Sequence, residues 1–258
     1  MKNPYAYIVD YCQSVGRRSN QEDALQCSSE EVYAQKGILA VLSDGMGGMS
    51  DGEKFSAIAT QGMIKYFEKT PPLDDMCAEL RACFNAAQKE ALEAVRSGPE
   101  GGATVVAILI RDGRCAYLSA GDSYICLLRK GGLIYLNREQ ELGITLDESA
   151  AFGYLDAEFA RSNTRRSSLT FHLGSESDVP CDVCSVPFRL VPDDRIALMS
   201  DGVNGTLNDD ELVRALSYGS CQQAAERVIR DVMAKGKPRQ DNCSILLFGY
   251  ELNPLLRR

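Results

Sequence analysis

Short apolar or alternating runs recur along the chain at 5–11, 37–42, 104–110, 115–120, 124–128, 195–199 and 244–248, with a weaker one at 24–27. Their length and their Gly, Asp and Ser borders predict β-strands. Three segments carry helical spacing instead: 52–69 with Phe55, Ile58, Ala59, Met63 and Phe67 on one face, 74–96 with Cys77, Leu80, Phe84, Ala91 and Val95, and 220–235 with Ala224, Ala225, Val228, Ile229 and Val232. Each stripe is what a helix needs to lie on a sheet. The turns RDGR at 111–114 and RKGG at 129–132 join consecutive strands, which predicts antiparallel pairing and an α+β architecture rather than βαβ repeats. Residues 138–170 are polar and irregular and predict a surface excursion containing a short helix.

The strand borders carry the acidic residues. ILAVLSDGMGG and RIALMSDGVNG share one design, an apolar strand, then Ser-Asp-Gly, then a Gly-containing loop leading into helical sequence, which sets Asp44 and Asp201 at strand tips. In AGDSYICLL and RQDNCSILLF the order is reversed, so Asp122 and Asp241 open strands, as Glu22 and Asp23 do before ALQC. Ends and beginnings of antiparallel strands share an edge, and these six carboxylates can meet on one rim. Asp-Gly is also the commonest hairpin turn, and Asp112-Gly113, between two strand-like runs, is read as only that.

Length and composition narrow the rest. A chain of 258 residues, 45% hydrophobic, closes one core, so a single domain spanning 1–258 is expected. A net charge of −8 without a Lys/Arg block argues against a nucleic-acid partner. There is no run of ~20 apolar residues for a membrane span and no signal-peptide pattern at MKNPYAYIVDYCQ, so a cytoplasmic location without membrane association is expected. The ten cysteines are scattered through apolar segments, which suits buried reduced thiols, and Cys181-x-x-Cys184 lacks a second pair for zinc and reads as a strand edge or loop.

Carboxylates that converge without Lys or Arg among them repel unless a cation sits between them. Oxygen donors without His or Cys favour Mn²⁺ or Mg²⁺, and a carboxylate can bridge two such ions about 3.5–4 Å apart, where a shared water ionises and attacks a phosphate ester in line. Arg18 in GRRSNQED, four residues before Glu22, is the candidate fork for the phosphate oxygens; Arg17 is adjacent, and alternation points one of the pair away.

The blocks RSNQED, LSDGMGG, GGATVV, AGDS, LTFHLG, LMSDGV and QDNCS, in this order and spanning nearly the whole chain, resemble the metal-dependent protein serine/threonine phosphatases of the 2C type, in their compact bacterial form. The resemblance implies a four-layer αββα sandwich, two antiparallel sheets flanked by helices, with a dimetal site at one sheet edge. It implies that Asp44 bridges two Mn²⁺ or Mg²⁺ ions, that the Gly45 carbonyl, Asp201 and Asp241 complete the ligands, and that Glu22 and Asp23 act through bound waters. Arg18 would hold the phosphate, Asp122 would help bind a third ion, and 138–170 would be a flap. The implied partners are phosphorylated proteins and a cognate Ser/Thr protein kinase. Met49, Tyr124 and LNREQEL depart from the family pattern, bearing on flap packing and substrate choice. The lone His172 is read as a packing or hydrogen-bonding residue, leaving a metal-bound water as proton donor to the leaving group.

Two other readings compete. Cys12 to Arg18 fits a C-x5-R thiol-phosphatase pattern, but it lies in an extended segment with one glycine, and Cys221 to Arg227 fits equally well inside a helix. A catalytically inactive regulatory or scaffold domain of the same fold would be expected to lose a metal aspartate, and all are present.

Overall fold

Each apolar run is a strand in the computed structural model, which describes residues 5–47, 51–98, 101–176 and 181–252; Met49 lies outside them. In chain order the strands are β1 (Tyr5–Ser14), β2 (Asp23–Cys27), β3 (Ile38–Gly47), β4 (Gly101–Ala103), β5 (Val105–Arg111), β6 (Arg114–Ala120), β7 (Tyr124–Arg129), β8 (Gly132–Tyr135), β9 (Asp182–Val183), β10 (Phe188–Arg189), β11 (Arg195–Met199) and β12 (Cys243–Leu252). The helices are α1 (Glu30–Lys36), α2 (Asp51–Lys69), α3 (Met76–Arg96), α4 (Leu142–Ala151), α5 (Ala157–Ser162), α6 (Asp201–Asn204), α7 (Asp209–Leu216) and α8 (Cys221–Ala234).

Strand pairing among the described residues is antiparallel throughout the named ladders. One sheet runs β1-β12-β11-β7-β8, the other β10-β6-β5-β3-β2, with β4 on β3 and β9 on β6. The Asp112-Gly113 and Lys130-Gly131 pairs that close β5–β6 and β7–β8 all have positive φ, 50°, 71°, 51° and 78°, the twist that two-residue hairpins require. Asp112 is thus a turn residue, as its sequence context indicated.

Side chains alternate across the sheets into three apolar layers. Leu39, Val41, Val105 and Leu109 pack under Phe55, Met63, Phe67, Leu80 and Phe84 of α2 and α3. Their neighbours Ile38, Leu42, Val106 and Ile108 face Ile125, Ile196, Leu198, Leu246 and Phe248 of the other sheet. That sheet's outer face, with Ala197, Met199, Ile245 and Leu247, meets Leu212, Ala224, Val228 and Val232 of α7 and α8. Each fully buried Leu or Phe contributes roughly 1.5–3 kcal/mol of transfer free energy, so the four-layer αββα sandwich is what lets strands buried on both faces read as continuous apolar runs.

Several boundaries differ from the sequence reading, each for a local reason. Asp75 caps α3 by accepting from the Cys77 and Ala78 amides, and Ser220 caps α8 in a capping box with Gln223, so both helices start just after those residues. β3 does not end at Asp44: Gly45, Met46 and Gly47 continue it by pairing with the GGA of β4, so Asp44 lies inside the strand. No loop follows Asp201, which is itself the first residue of α6. α1 and α7 were not marked by periodicity, and 138–170 holds two short helices rather than one.

Candidate metal centre

The sheet seam collects the acidic residues. β2 and β3 place Asp23 directly opposite Asp44, while β11 and β12 of the other sheet deliver Asp201 and Asp241 beside them. Asp122 comes from the β6–β7 connection, where the chain passes between sheets. Arg18, Glu22, Asp44, Gly45, Asp122, Asp201 and Asp241 line one cleft of about 290 Å³. Asp23 does not reach the cleft wall; it is 5% exposed and sits behind Asp44.

Polar side chains fix these carboxylates. The Asp44 amide donates to Thr104 Oγ1 at 3.0 Å, Thr104 returns its own amide to the Asp44 carbonyl at 2.8 Å, and Thr104 and Ser123 share a hydroxyl hydrogen bond of 2.7 Å. Asp23 Oδ2 accepts from Ser200 Oγ at 2.9 Å and Ser244 Oγ at 2.7 Å. Asn242, 4% exposed, accepts the Glu22 amide at 2.7 Å and donates to the carbonyls of Val15 and Asn20, each at 2.9 Å. It clamps the Arg18-bearing segment to the start of β12. Gly45 has no room for a side chain, since a Cβ there would stand 2.0 Å from the Gly52 carbonyl oxygen and 2.8 Å from that of Glu22.

These fixing residues escaped the sequence reading, although GGATVV, AGDS, LMSDGV and QDNCS contain them. Short hydroxyl and amide side chains serve turns and caps equally well, and only the fold shows which ones face a carboxylate. The departures from pattern also find places. Tyr124 packs edge-on to Tyr135 at 5.9 Å, and the two share a pocket with Glu139 and Asn204. Gln140 in LNREQEL accepts the Gly121 amide at 2.8 Å and donates its own amide to the Gly121 carbonyl at 3.0 Å, anchoring 138–170 beside Asp122. At the other end of that segment Leu169 lines the cleft. His172 lies off the cleft, its Nδ1 2.9 Å from the Leu173 carbonyl and its ring against Gly102.

Neither thiol signature forms a phosphate cradle. Cys12 lies within β1 opposite Ile245, and Cys221 opens α8. Cys181 and Cys184 flank β9, the strand-edge position expected of them.

Asp23, Asp44, Asp122 and Asp201 are held in surroundings that disfavour their charge. Burial pushes Asp44 well above the ordinary carboxylate range, and the charges of Asp23, Asp201, Asp122 and Asp241 push it further. Asp23 is pushed up to about 6 by burial, against the two serine hydrogen bonds, and Asp122 to about 7 by burial and Asp201. Asp201 is raised by burial and by Asp241. Buried Asp23 Oδ1 and Asp201 Oδ1 have no hydrogen-bond partner. Among the described residues the one cation on the cleft is Arg18, whose Nη2 lies 2.5 Å from Asp241 Oδ2 at the solvent side. Crowded, unpaired carboxylate oxygens fit a hard divalent cation. Among the described residues no three acidic, His or Cys side chains are already closed as a ligand cage; the carboxylates line an open cleft.

A family model described as Protein phosphatase 2C matches residues 15–235, which include Arg18, Glu22, Asp23, Asp44, Asp122 and Asp201 but stop short of Asp241. The serine/threonine protein phosphatase PstP of Mycobacterium tuberculosis is 30% identical over 234 residues, covering 89% of this chain and 42% of PstP. The chain thus spans about two fifths of the length of that curated relative. The crystal structure of M. tuberculosis PstP/Ppp superposes with a TM-score of 0.76 at 25% identity, covering 95% of this chain and 99% of that one. A structure of the PstP catalytic domain in complex with two manganese ions matches in fold with a TM-score of 0.76 at 23% identity, covering 96% and 99%. With a family model matched from the first residues of the Arg18 segment through α8, the chain belongs to the protein phosphatase 2C family.

Proposed function

We propose that the chain hydrolyses phosphoserine and phosphothreonine in proteins at a centre of two Mn²⁺ or Mg²⁺ ions. The observation that carries this reading is the convergence of Asp44 inside β3, Asp201 just after β11 and Asp241 just before β12 on one cleft that also holds Arg18. The proteins it resembles are named serine/threonine phosphatases, and one of their structures contains two manganese ions. Asp44, the Gly45 carbonyl, Asp201 and Asp241 would hold the ions, Glu22 would act through their waters, Asp23 would act from behind Asp44 rather than from the cleft wall, and Asp122 would take part in a third site. When bound, such ions supply Lewis-acid stabilisation of phosphoryl charge and make water acidic enough to ionise near neutral pH.

The chain's own groups account for the remaining requirements. Arg18 is exposed at the cleft mouth, where its planar fork can take phosphate oxygens in two parallel hydrogen bonds. The acidic wall repels a phosphate dianion until cations offset it, so substrate binding depends on metal loading. Residues 138–170, anchored beside Asp122 and ending at Leu169 on the cleft wall, act as the flap that contacts sequence around the phosphoresidue. Phosphorylated proteins are the substrates, a Ser/Thr protein kinase their source, and the cytoplasm the site of action. No described helix is long and apolar enough to cross a membrane.

Phosphate release from a phosphothreonine peptide with Mn²⁺, repeated with a chelator and with Asp201→Asn, tests the proposal. Turnover that needs the metal and the aspartate supports it. Calorimetric Mn²⁺ binding without any phosphate release would sink it in favour of an inactive domain.

A further inference from the structure

All ten cysteines are free, yet two of them, 107 residues apart in sequence, have their sulfurs in contact. Cys77, in the first turn of α3, lies with its Sγ 3.5 Å from Cys184 Sγ, at the end of β9. No other pair of cysteine sulfurs among the described residues makes such a contact. Cys184 is 8% exposed and its sulfur accepts the Tyr117 amide at 3.3 Å, while Cys77 is half-buried and the more accessible of the two.

The contact joins the first turn of α3 to the edge of a sheet. β9 is a two-residue edge strand on β6, reached by the segment that leaves the cleft at Leu169. α3 already grips that segment through Gln88, whose amide group accepts from the Gly174 N–H and donates to the Ser175 carbonyl, each at 2.8 Å. Cys77 and Cys184 meet eleven residues nearer the N-terminus of the same helix.

We propose that Cys77 and Cys184 form a reversible disulfide that staples α3 to the β9 edge. The sulfurs must close by about 1.5 Å to reach a bond of ~2.05 Å. A small-molecule disulfide is the oxidant. The Cys77 thiolate attacks one of its sulfurs, releasing one small thiol and leaving a mixed disulfide on Cys77. The Cys184 thiolate then attacks Cys77 Sγ and releases the second small thiol. Two protein thiols are oxidised, one disulfide is reduced, and the two protons end on the released thiols. Burial, with the Cys184 and Asp75 neighbours, pushes the Cys77 thiol up to about 12, so exchange is slow at neutral pH and accelerates about tenfold per pH unit.

Incubating the folded full chain with oxidised glutathione, followed by intact mass and non-reducing peptide mapping, tests the staple on the unaltered sequence. The expected result is loss of two hydrogens, a peptide linking 77 to 184, and a Tm raised on the order of 5 °C until a thiol reductant is added. Cys77→Ser and Cys184→Ser each abolish the link, whereas Cys181→Ser retains it. A link between 181 and 184 would overturn the proposal. So would the absence of any link in folded protein under conditions that oxidise the chain unfolded in guanidinium.

Discussion

Arg18 donates to Asp241 at 2.5 Å, joining the residue proposed to receive phosphate to one proposed to hold metal. Both side chains are substantially exposed, 57% and 37%, so this ion pair contributes little to stability and the guanidinium can change partners. Arg18→Ala is expected to leave Tm nearly unchanged and to lower kcat/KM for a phosphopeptide about 10- to 100-fold, the loss of one to two charge-assisted hydrogen bonds. Arg18→Lys should recover only part, because an ammonium cannot make the parallel pair. Steady-state kinetics on the three proteins checks this; equal activity of Arg18→Ala and the parent would remove Arg18 from the site.

Asp201 separates function from stability. Its carboxylate is raised by burial and by Asp241, and its Oδ1 is buried without a partner, so in a chelator it costs the fold free energy. Asp201→Asn should therefore melt at or above the parent temperature in a chelator while losing phosphatase activity. Manganese reverses the order. At a hundred times its Kd an ion stabilises the parent by about 2.7 kcal/mol per site, and the variant should gain clearly less. Melting curves with and without Mn²⁺ read both effects.

The carboxylate cluster also sets a pH dependence. Asp23 is pushed to about 6 and Asp122 to about 7, each by burial first, from an ordinary 3.8. Below about pH 4 folded and unfolded chains both carry these protons and the groups are neutral to stability. From there to about pH 7 the unfolded chain releases protons that the fold retains, so the metal-free fold loses stability as pH rises. The buried Asp23 alone corresponds to roughly 3 kcal/mol. Urea midpoints in a chelator should fall between pH 4.5 and 7.5, and Asp122→Asn should flatten the fall. Mn²⁺ should oppose it, since ions displace these protons more readily as pH rises. A midpoint that rises over this range without metal would contradict the arrangement.

Where the sequence was legible, one physical signal dominated. The runs at 195–199 and 124–128 are apolar and bordered by polar residues, and they match β11 and β7 within one residue. The long stripes of α2, α3 and α8 were equally plain, because a buried helical face repeats over several turns. The continuation of β3 through SDGMG was not, because serine, aspartate and glycine there look like a loop; the strand persists since glycines 45 and 47 lie against another glycine-rich backbone. α7 is short, and its sign was the capping box of Asn208 and Glu211 rather than periodicity. At the site the aspartates were readable from their position after or before apolar runs. That Asp23 stands behind the cleft and not on it needed the register that sets it opposite Asp44.

Asn242 gives the sharpest test of how the cleft is assembled. Its buried side chain makes three hydrogen bonds to backbone groups of Val15, Asn20 and Glu22, the segment that carries Arg18. Asn242→Ala would leave the Asn20 carbonyl and the Glu22 amide without partners, the Val15 carbonyl keeping the Arg18 amide at 3.2 Å, and at about 1–3 kcal/mol for each group left unsatisfied, less what water recovers, a loss of roughly 2–4 kcal/mol is expected. Asn242→Asp keeps one acceptor for the Glu22 amide but sets a carboxylate against two carbonyls, so it should be no better than alanine. The 15–22 segment should exchange its amide hydrogens faster in both variants while α8 and β11 keep their protection, which hydrogen exchange with mass spectrometry resolves. Uniformly faster exchange would mean that Asn242 supports the whole sandwich. Unchanged exchange at 15–22 would mean that the segment is positioned without it.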